Sequence, residues 1–353
     1  MQTTTKTTTK SAFALAGVLA LALTGCAAEE SDVSGDGDGG DGSEDAGEAA
    51  AIESVDELVI GLVPSQENAT VVENQEAIAD QVSEELGGFD VAVEVFDDYL
   101  GVIQGMQTGD VHLVMSGPIG MIQAEQEADG TSILQSVRYG SESYVTQWFT
   151  NDPDTYCEDE PVEIEQEGEV EPFLFCNGIV EDGERVDYQP MGEDALEQIE
   201  DGTTVSFVDE GSASGYYYPQ TQLNELGVEV DGQFAGGHDQ SVQNVYSGDI
   251  SIGTSFDDAR ENIAEENPDV GQEVVTFAWA GPIPNDGIVA SADLTEEEQQ
   301  TITEAFLNIA GDGGLEEGDP LYDVYEIEGL VEADQEALDG ARTVYEEFGD
   351  QAE

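Results

Sequence analysis

Three short stretches of this 353-residue chain place hydrogen-bond donors where a turn can aim them at an anion. Gly211-Ser212-Ala213-Ser214-Gly215-Tyr216 follows the apolar run 203–208 (TTVSFV) and opens a helical stretch. Ser116-Gly117-Pro118 repeats the arrangement after 111–115 (VHLVM), with Pro118 suited to a first helical position. His238-Asp239 comes just ahead of a third helix. The first turn of a helix offers free N–H groups and the positive end of its dipole, and serine hydroxyls add donors. A lone serine in such a place more often only caps its helix. Three such starts at strand ends point instead to one shared oxyanion site. Chemistry beyond capture has little support. There is no Walker A sequence, no HExxH and no GxSxG; GSASG at 211–215 places its serines differently. With 81 Asp and Glu, any two carboxylates are neighbours, so paired acids carry no information. His112 and His238 are the only histidines. Neither an enzymatic activity nor a cofactor nor a metal is expected.

The elements that must position these residues come in two series. Strands at 58–63 (LVIGLV), 91–96 (VAVEVF) and 111–115 alternate with helices over 70–86 and about 99–107. Strands at 203–208, near 228–234 and at 250–254 alternate with helices over roughly 214–226 and 239–247. A βαβαβ order predicts an open, mostly parallel sheet covered by helices. The series are related: IQGMQTGDVHLVMS (103–116) aligns without gaps with VQNVYSGDISIGTS (242–255), with Gln, Gly, Asp and Ser identical at 104/243, 109/248, 110/249 and 116/255. Two similar α/β lobes are therefore expected, with ligand at the carboxyl ends of their strands, in the cleft between them.

Charge bounds the partners. The chain has six Lys and Arg against 81 Asp and Glu, a formal net charge of −75. Nucleic-acid binding through a basic footprint is excluded, as is docking on an anionic membrane surface. A hydrophobic content of 39% still suffices for a core, so the acidity reads as a surface suited to high salt. Residues 11–25 are apolar and too few to span a bilayer, which takes about 20, but they suit a signal peptide. The run ends in Leu23-Thr24-Gly25-Cys26, which resembles the lipobox of bacterial lipoproteins and implies a lipid on Cys26. Cleavage there removes Lys6 and Lys10, leaving four arginines against 81 acids, or −77. Residues 27–52 are rich in acids and glycine and read as a self-repelling tether. Outside the cytoplasm Cys157 and Cys176 should form a structural disulfide closing an acid-rich insertion, worth about 3 kcal/mol on the loop-entropy model.

As an ordered set, several motifs resemble the phosphate/phosphite/phosphonate-binding proteins of ABC importers. They are LVIGLVPS at the first strand, Asp98-Tyr99 with Ile103, Gly109-Asp110 leading to Ser116-Gly117-Pro118, Ser212-Ala213-Ser214-Gly215-Tyr216, Gly237-His238-Asp239, Phe256-Asp257-Asp258 and Ile283-Pro284-Asn285-Asp286. The likeness spans roughly residues 57–350, apart from the Cys157–Cys176 insertion. It implies a two-lobed type II periplasmic-binding-protein fold, a permease and an ATPase as partners, and a monomer on the outer face of the cell membrane. The expected division is signal peptide 1–25, tether 26–54, first lobe 55–144, second lobe 145–255, and a return to the first lobe over 256–353. By position, the resemblance gives Ser212, Ala213 and Ser214 to the oxyanion, with Ser116, Gly215 and Tyr216 beside them. His238 donates to another oxygen, Tyr99 and Tyr144 close the pocket, and Asp257 and Asp286 face the non-phosphate side. Ala213 departs from the family's Ser-Thr-Ser run and loses one hydroxyl. Buried carboxylates there would favour an aminoalkylphosphonate or a protonated phosphate or phosphite over sulfate. Two alternatives stay open: a receptor for a cationic or zwitterionic solute, caged by tyrosines and carboxylates, and an anchored sensor or interaction module.

Overall fold

Short runs of apolar and β-branched residues, each too brief to bury itself, assemble into two sheets. The computed structural model describes residues 52–63, 68–96, 98–166, 170–311 and 313–351. The expected signal peptide, Cys26, the tether as far as residue 51, and Pro64-Ser65 lie outside these residues.

The first lobe opens with β1 (Leu58–Leu62), β2 (Val91–Val95), β3 (Leu113–Ser116) and β4 (Thr131–Val137). In β1 all five residues are buried, as expected of a strand covered on both faces. Fully burying Leu58, Ile60 and Leu62 contributes about 1.5–3 kcal/mol per side chain. The chain then builds the second sheet from β5 (Ser143–Thr150), β6 (Val162–Ile164) and β7 (Phe173–Phe175). A two-stranded hairpin follows, β8 (Val180–Glu181) and β9 (Glu184–Arg185). The second sheet continues with β10 (Thr204–Phe207), β11 (Asp231–Phe234), β12 (Ile252–Phe256) and β13 (Val275–Pro284). The first sheet is completed by β14 (Gly287–Ala290) and β15 (Gly329–Glu332).

Strand orders are β15-β4-β14-β3-β1-β2 and β11-β10-β12-β5-β13-β7-β6. The expected parallel pairing holds in β2-β1-β3 and in β11-β10-β12. Beyond β3 and β12 the neighbours β14 and β5 run antiparallel, so both sheets are mixed. The internal repeat occupies equivalent places. Each copy is a helix, Tyr99–Thr108 or His238–Tyr246, then a glycine and an aspartate, then β3 or β12. Gly109 and Gly248 both have φ 77, the left-handed conformation that ends a helix and that glycine adopts without penalty. Asp110 N then reaches back to Gly105 O (2.9 Å) and Asp249 N to Asn244 O (3.1 Å).

One boundary differs from expectation. The return to the first lobe falls after Pro284, not at 256, because β13 pairs antiparallel with β5 from Val275↔Thr150 to Pro284↔Ser143. The second lobe is thus spliced into the first between Arg138 and Asp286. Asn285 stitches the two crossovers together: its side chain donates to Ser136 O (3.1 Å) and Ser141 O (2.7 Å), and its amide donates to Glu142 O (3.0 Å). The C-terminal helix Gln335–Gln351 touches both lobes. Arg342 reaches Glu125 (2.7 Å) on the first lobe, while Phe348 packs 4.5 Å from the Tyr217 ring on the second.

Cys157 and Cys176 form a disulfide with their Cα atoms 5.6 Å apart. The insertion adds β7 and β6 to the edge of the second sheet beside β13. Where the described chain begins, Glu53 N, Ser54 N and Ser54 Oγ all donate to Glu298, at 2.7, 2.8 and 2.6 Å. Glu298 is also the third helical residue of a capping box with Thr295. Burial alone would raise its carboxyl, yet the donors from Ser54, Glu53 and Thr295 hold it down at about 2.

Candidate ligand-binding site

The GSASG segment lies at the carboxyl end of β10, where the chain turns into helical structure that begins at Ala213 as a wide π-type turn and continues to Leu226. Ser212 is the cap: its Oγ accepts from Gly215 N at 3.0 Å. Central strands hold the turn from behind, Thr146 Oγ1 donating to Ser214 O and Thr254 Oγ1 to Gly215 O, both at 2.9 Å. Gly211 N donates to Asp209 Oδ1 (2.8 Å) and Ser212 N to Asp209 O (3.1 Å), and the amides of Ala213 and Ser214 follow as the first of the helical stretch. A side chain on Gly211 would strike Tyr99, with Cβ 2.5 Å from Tyr99 Cβ, so glycine lets the two lobes approach here.

Tyr99, Tyr144, Ser212, Ala213, Ser214, His238 and Asp286, seven of the eleven residues expected to bind ligand, line one narrow cavity. Gly117, Phe256 and Arg138 complete its wall. Burial comes first among the causes that hold the Tyr99 and Tyr144 hydroxyls well above the ordinary tyrosine range, so both stay protonated donors. His238 is 6% exposed, and its Nδ1 lies 2.7 Å from Ser255 Oγ. Burial first, then the nearby Arg138 charge, lower its pKa to about 3, so the ring is neutral near pH 7. Ser255 Oγ engages Nδ1, which leaves Nε2 as the ring nitrogen outside that contact.

Four expected residues stand elsewhere. Ser116 ends β3 but does not line the cavity. A Cβ on Gly120 would fall 2.1 Å from its Oγ, so the hydroxyl folds back on the next helix and Gly117 forms the wall instead. Gly215 is buried behind the turn. Tyr216 sits in an aromatic cluster with Phe207, Phe234 and Phe348, with ring centroids 5.0–5.4 Å away. Asp257 lines a small adjoining compartment, which shares Arg138, Tyr144 and Phe256 with the first.

Sequence reasoning missed the cations. Arg138 follows β4 at the first crossover, pairs with Asp286 at 3.2 Å and Glu326 at 3.1 Å, and has an Nε that is buried without a hydrogen-bond partner. Arg185 pairs with Asp257, and Arg260 pairs with Asp258 at 2.6 Å. Asp257 and Asp286 therefore do not present free carboxylates: a guanidinium sits on each. Burial still pushes the Asp286 carboxyl up, with Arg138 opposing it. The available signal was scarcity: a chain with four arginines among 81 acids places them where a positive charge is needed. Among the described residues, no group of three or more His, Cys, Asp or Glu is arranged to hold a metal, and no helix is long and apolar enough to cross a membrane.

The arrangement offers neutral hydroxyl, imidazole and amide donors, plus one guanidinium, in a small buried space between two lobes. Known proteins share its framework. The chain is 24% identical over 254 residues, 68% of either chain, to the phosphate-import protein PhnD of Mycolicibacterium smegmatis. Its fold matches PhnD1 of Prochlorococcus marinus, solved with methylphosphonate, at a TM-score of 0.62 and 18% identity, over 83% of this chain and 98% of that one. It also matches a binding-protein component of an ABC phosphonate transporter from Pseudomonas aeruginosa, at a TM-score of 0.61 and 16% identity, over 82% and 85% of the two chains. Residues 60–338 match the family model described as ABC transporter, phosphonate, periplasmic substrate-binding protein. A match over most of the chain, on the two-lobed framework that carries the cavity, makes this protein a member of that family, the substrate-binding components of ABC phosphonate importers.

Proposed function

We propose that this chain is a lipid-anchored receptor on the outer face of the cell membrane, capturing a phosphorus oxyanion (a phosphonate, phosphite or phosphate) and handing it to a permease and its ATPase. The carrying observation is the cavity where Ser212, Ala213 and Ser214 meet His238, Tyr99 and Tyr144 from both lobes. In this reading the amides and hydroxyls of the Ser212–Ser214 turn hold one face of the oxyanion, and His238 Nε2 donates to another oxygen. Tyr99 and Tyr144 close over it, and Asp286 accepts from a protonated oxygen while Arg138 offsets its charge. Neutral donors in a small buried space favour an anion without requiring a basic surface. The alternative of a cationic solute loses support, because Arg138 and Arg185 already occupy the carboxylates that an ammonium would need.

Calorimetry in molar salt with phosphate, phosphite, methylphosphonate and 2-aminoethylphosphonate tests this reading. At least one is expected to bind, and binding by none would overturn it. The anchor rests on the Leu23–Cys26 motif. Cys26→Ser is expected to move the protein from the membrane fraction to the medium, and retention at the membrane would count against a lipid on this cysteine.

A further inference from the structure

The disulfide-closed insertion does more than extend a sheet edge. After Cys176 the chain forms the β8–β9 hairpin and brings Arg185 and Tyr188 back against the compartment beside the oxyanion cavity. Arg185 Nη1 and Gln147 Nε2 both bond Asp257 Oδ1. The Asp257 side chain is 0% exposed and that of Arg185 is 26% exposed. The guanidinium carbon also lies 5.3 Å from the centre of the Phe175 ring, which fixes it from the insertion side. The Tyr188 hydroxyl lines the same compartment and acts on the Asp257 carboxyl, whose buried Oδ2 meets no donor at ordinary hydrogen-bond geometry. Burial first and the Asp257 charge second push the Tyr188 hydroxyl up, so it remains a neutral group there. Burial likewise pushes the Asp257 carboxyl up, with Arg185 opposing it.

Charge balance decides what fits. A ligand ammonium entering this compartment meets a carboxylate already paired with the Arg185 guanidinium. In a buried site like charges are weakly screened, so an added cation is unfavourable. A hydroxyl is close to an ammonium in size and can donate to Asp257 Oδ2 with no added charge. We propose that Arg185, delivered by the hairpin that follows the insertion, makes the substituent compartment select a phosphorus oxyanion bearing a hydroxyalkyl group over one bearing an ammonium. This rests on the reading of the adjoining cavity as a phosphorus-oxyanion site and names its substrate class.

The test compares 2-hydroxyethylphosphonate with 2-aminoethylphosphonate by calorimetry in molar salt, with methylphosphonate as the common reference. The native protein is expected to bind the hydroxyl ligand about tenfold or more tightly than the amine. Arg185→Gln frees the Asp257 charge and is expected to shrink that ratio about tenfold. Asp257→Asn leaves Arg185 unopposed and is expected to widen it, so the proposal stays testable if the first variant does not fold. Arg185→Gln with Asp257→Asn restores neutrality and the native preference. Equal binding of the two ligands by the native protein, or a ratio that neither single variant moves, overturns the proposal. Binding of no phosphorus ligand at all overturns the oxyanion reading beneath it.

Discussion

Ser214→Ala combined with His238→Ala is expected to weaken binding of the preferred phosphorus ligand by about 100- to 10,000-fold. Two hydrogen bonds to a charged group, at about 1.5–3 kcal/mol each, account for that range. The two residues come from separate elements of the second lobe and meet on one wall of the cavity. No neighbouring lysine exists to take over their role, since the chain's only lysines are Lys6 and Lys10. The loss should be the same between about pH 5 and pH 8, because a ring whose pKa is lowered to about 3 changes no charge in that window. Fold integrity is read from the melting transition in the same buffer. Some stability loss is expected, as removing the imidazole leaves Ser255 Oγ without the partner it had at 2.7 Å. Affinity within about tenfold of native, in a folded variant, would mean that the oxyanion is held elsewhere.

Arg260→Ala is expected to cost about 3–5 kcal/mol of stability, the range for removing one member of a buried ion pair. Arg260 and Asp258 are both 0% exposed in their side chains. The guanidinium bonds both carboxylate oxygens, at 2.9 and 2.6 Å, and the carbonyls of Leu174 (3.0 Å) and Val274 (2.7 Å). Phe173 and Phe175 each place a ring centre 4.6 Å from its central carbon. The substitution therefore leaves an unpaired buried carboxylate, two carbonyls without a donor and a void between two rings. Salt will not rescue it, because a buried pair is poorly screened. Denaturant unfolding in molar salt checks the figure, and a loss below about 1 kcal/mol would show that the pair is dispensable.

These two predictions differ in how visible their residues are in the chain. The Gly211–Gly215 turn is legible because its parts are contiguous: a strand, a glycine, two serines and a helix start announce themselves locally. His238 and Asp286 come with short motifs of their own. The duplicated helix–Gly–Asp–strand unit is legible for the same reason, since the left-handed turn demands glycine in each copy. Arg138 and Arg185 are not. Asp286 lies 148 residues from Arg138 and Asp257 lies 72 from Arg185, and with 81 acids available no local pattern names the partner. Ser116 and Tyr216 were misread for a different reason. Neighbouring residues at a strand or helix end face different ways, so a motif fixes the stretch but not which of its side chains meets the cavity. The lobe boundary was misplaced because β13 reads like any other buried strand, and only its ladder with β5 assigns it to the second sheet.

The Glu298 clamp at Glu53 and Ser54 decides where a pull on this protein would be felt. Tension arriving through the residues ahead of Ile52 is passed by three hydrogen bonds to one carboxylate on the helix Glu296–Ala310, within the first lobe. The second lobe is spliced in between Arg138 and Asp286 and lies off that line of force. On the reading of a lipid anchor at Cys26, the receptor is held through its first lobe, and the second is joined to it by the two crossovers and by the helix Gln335–Gln351.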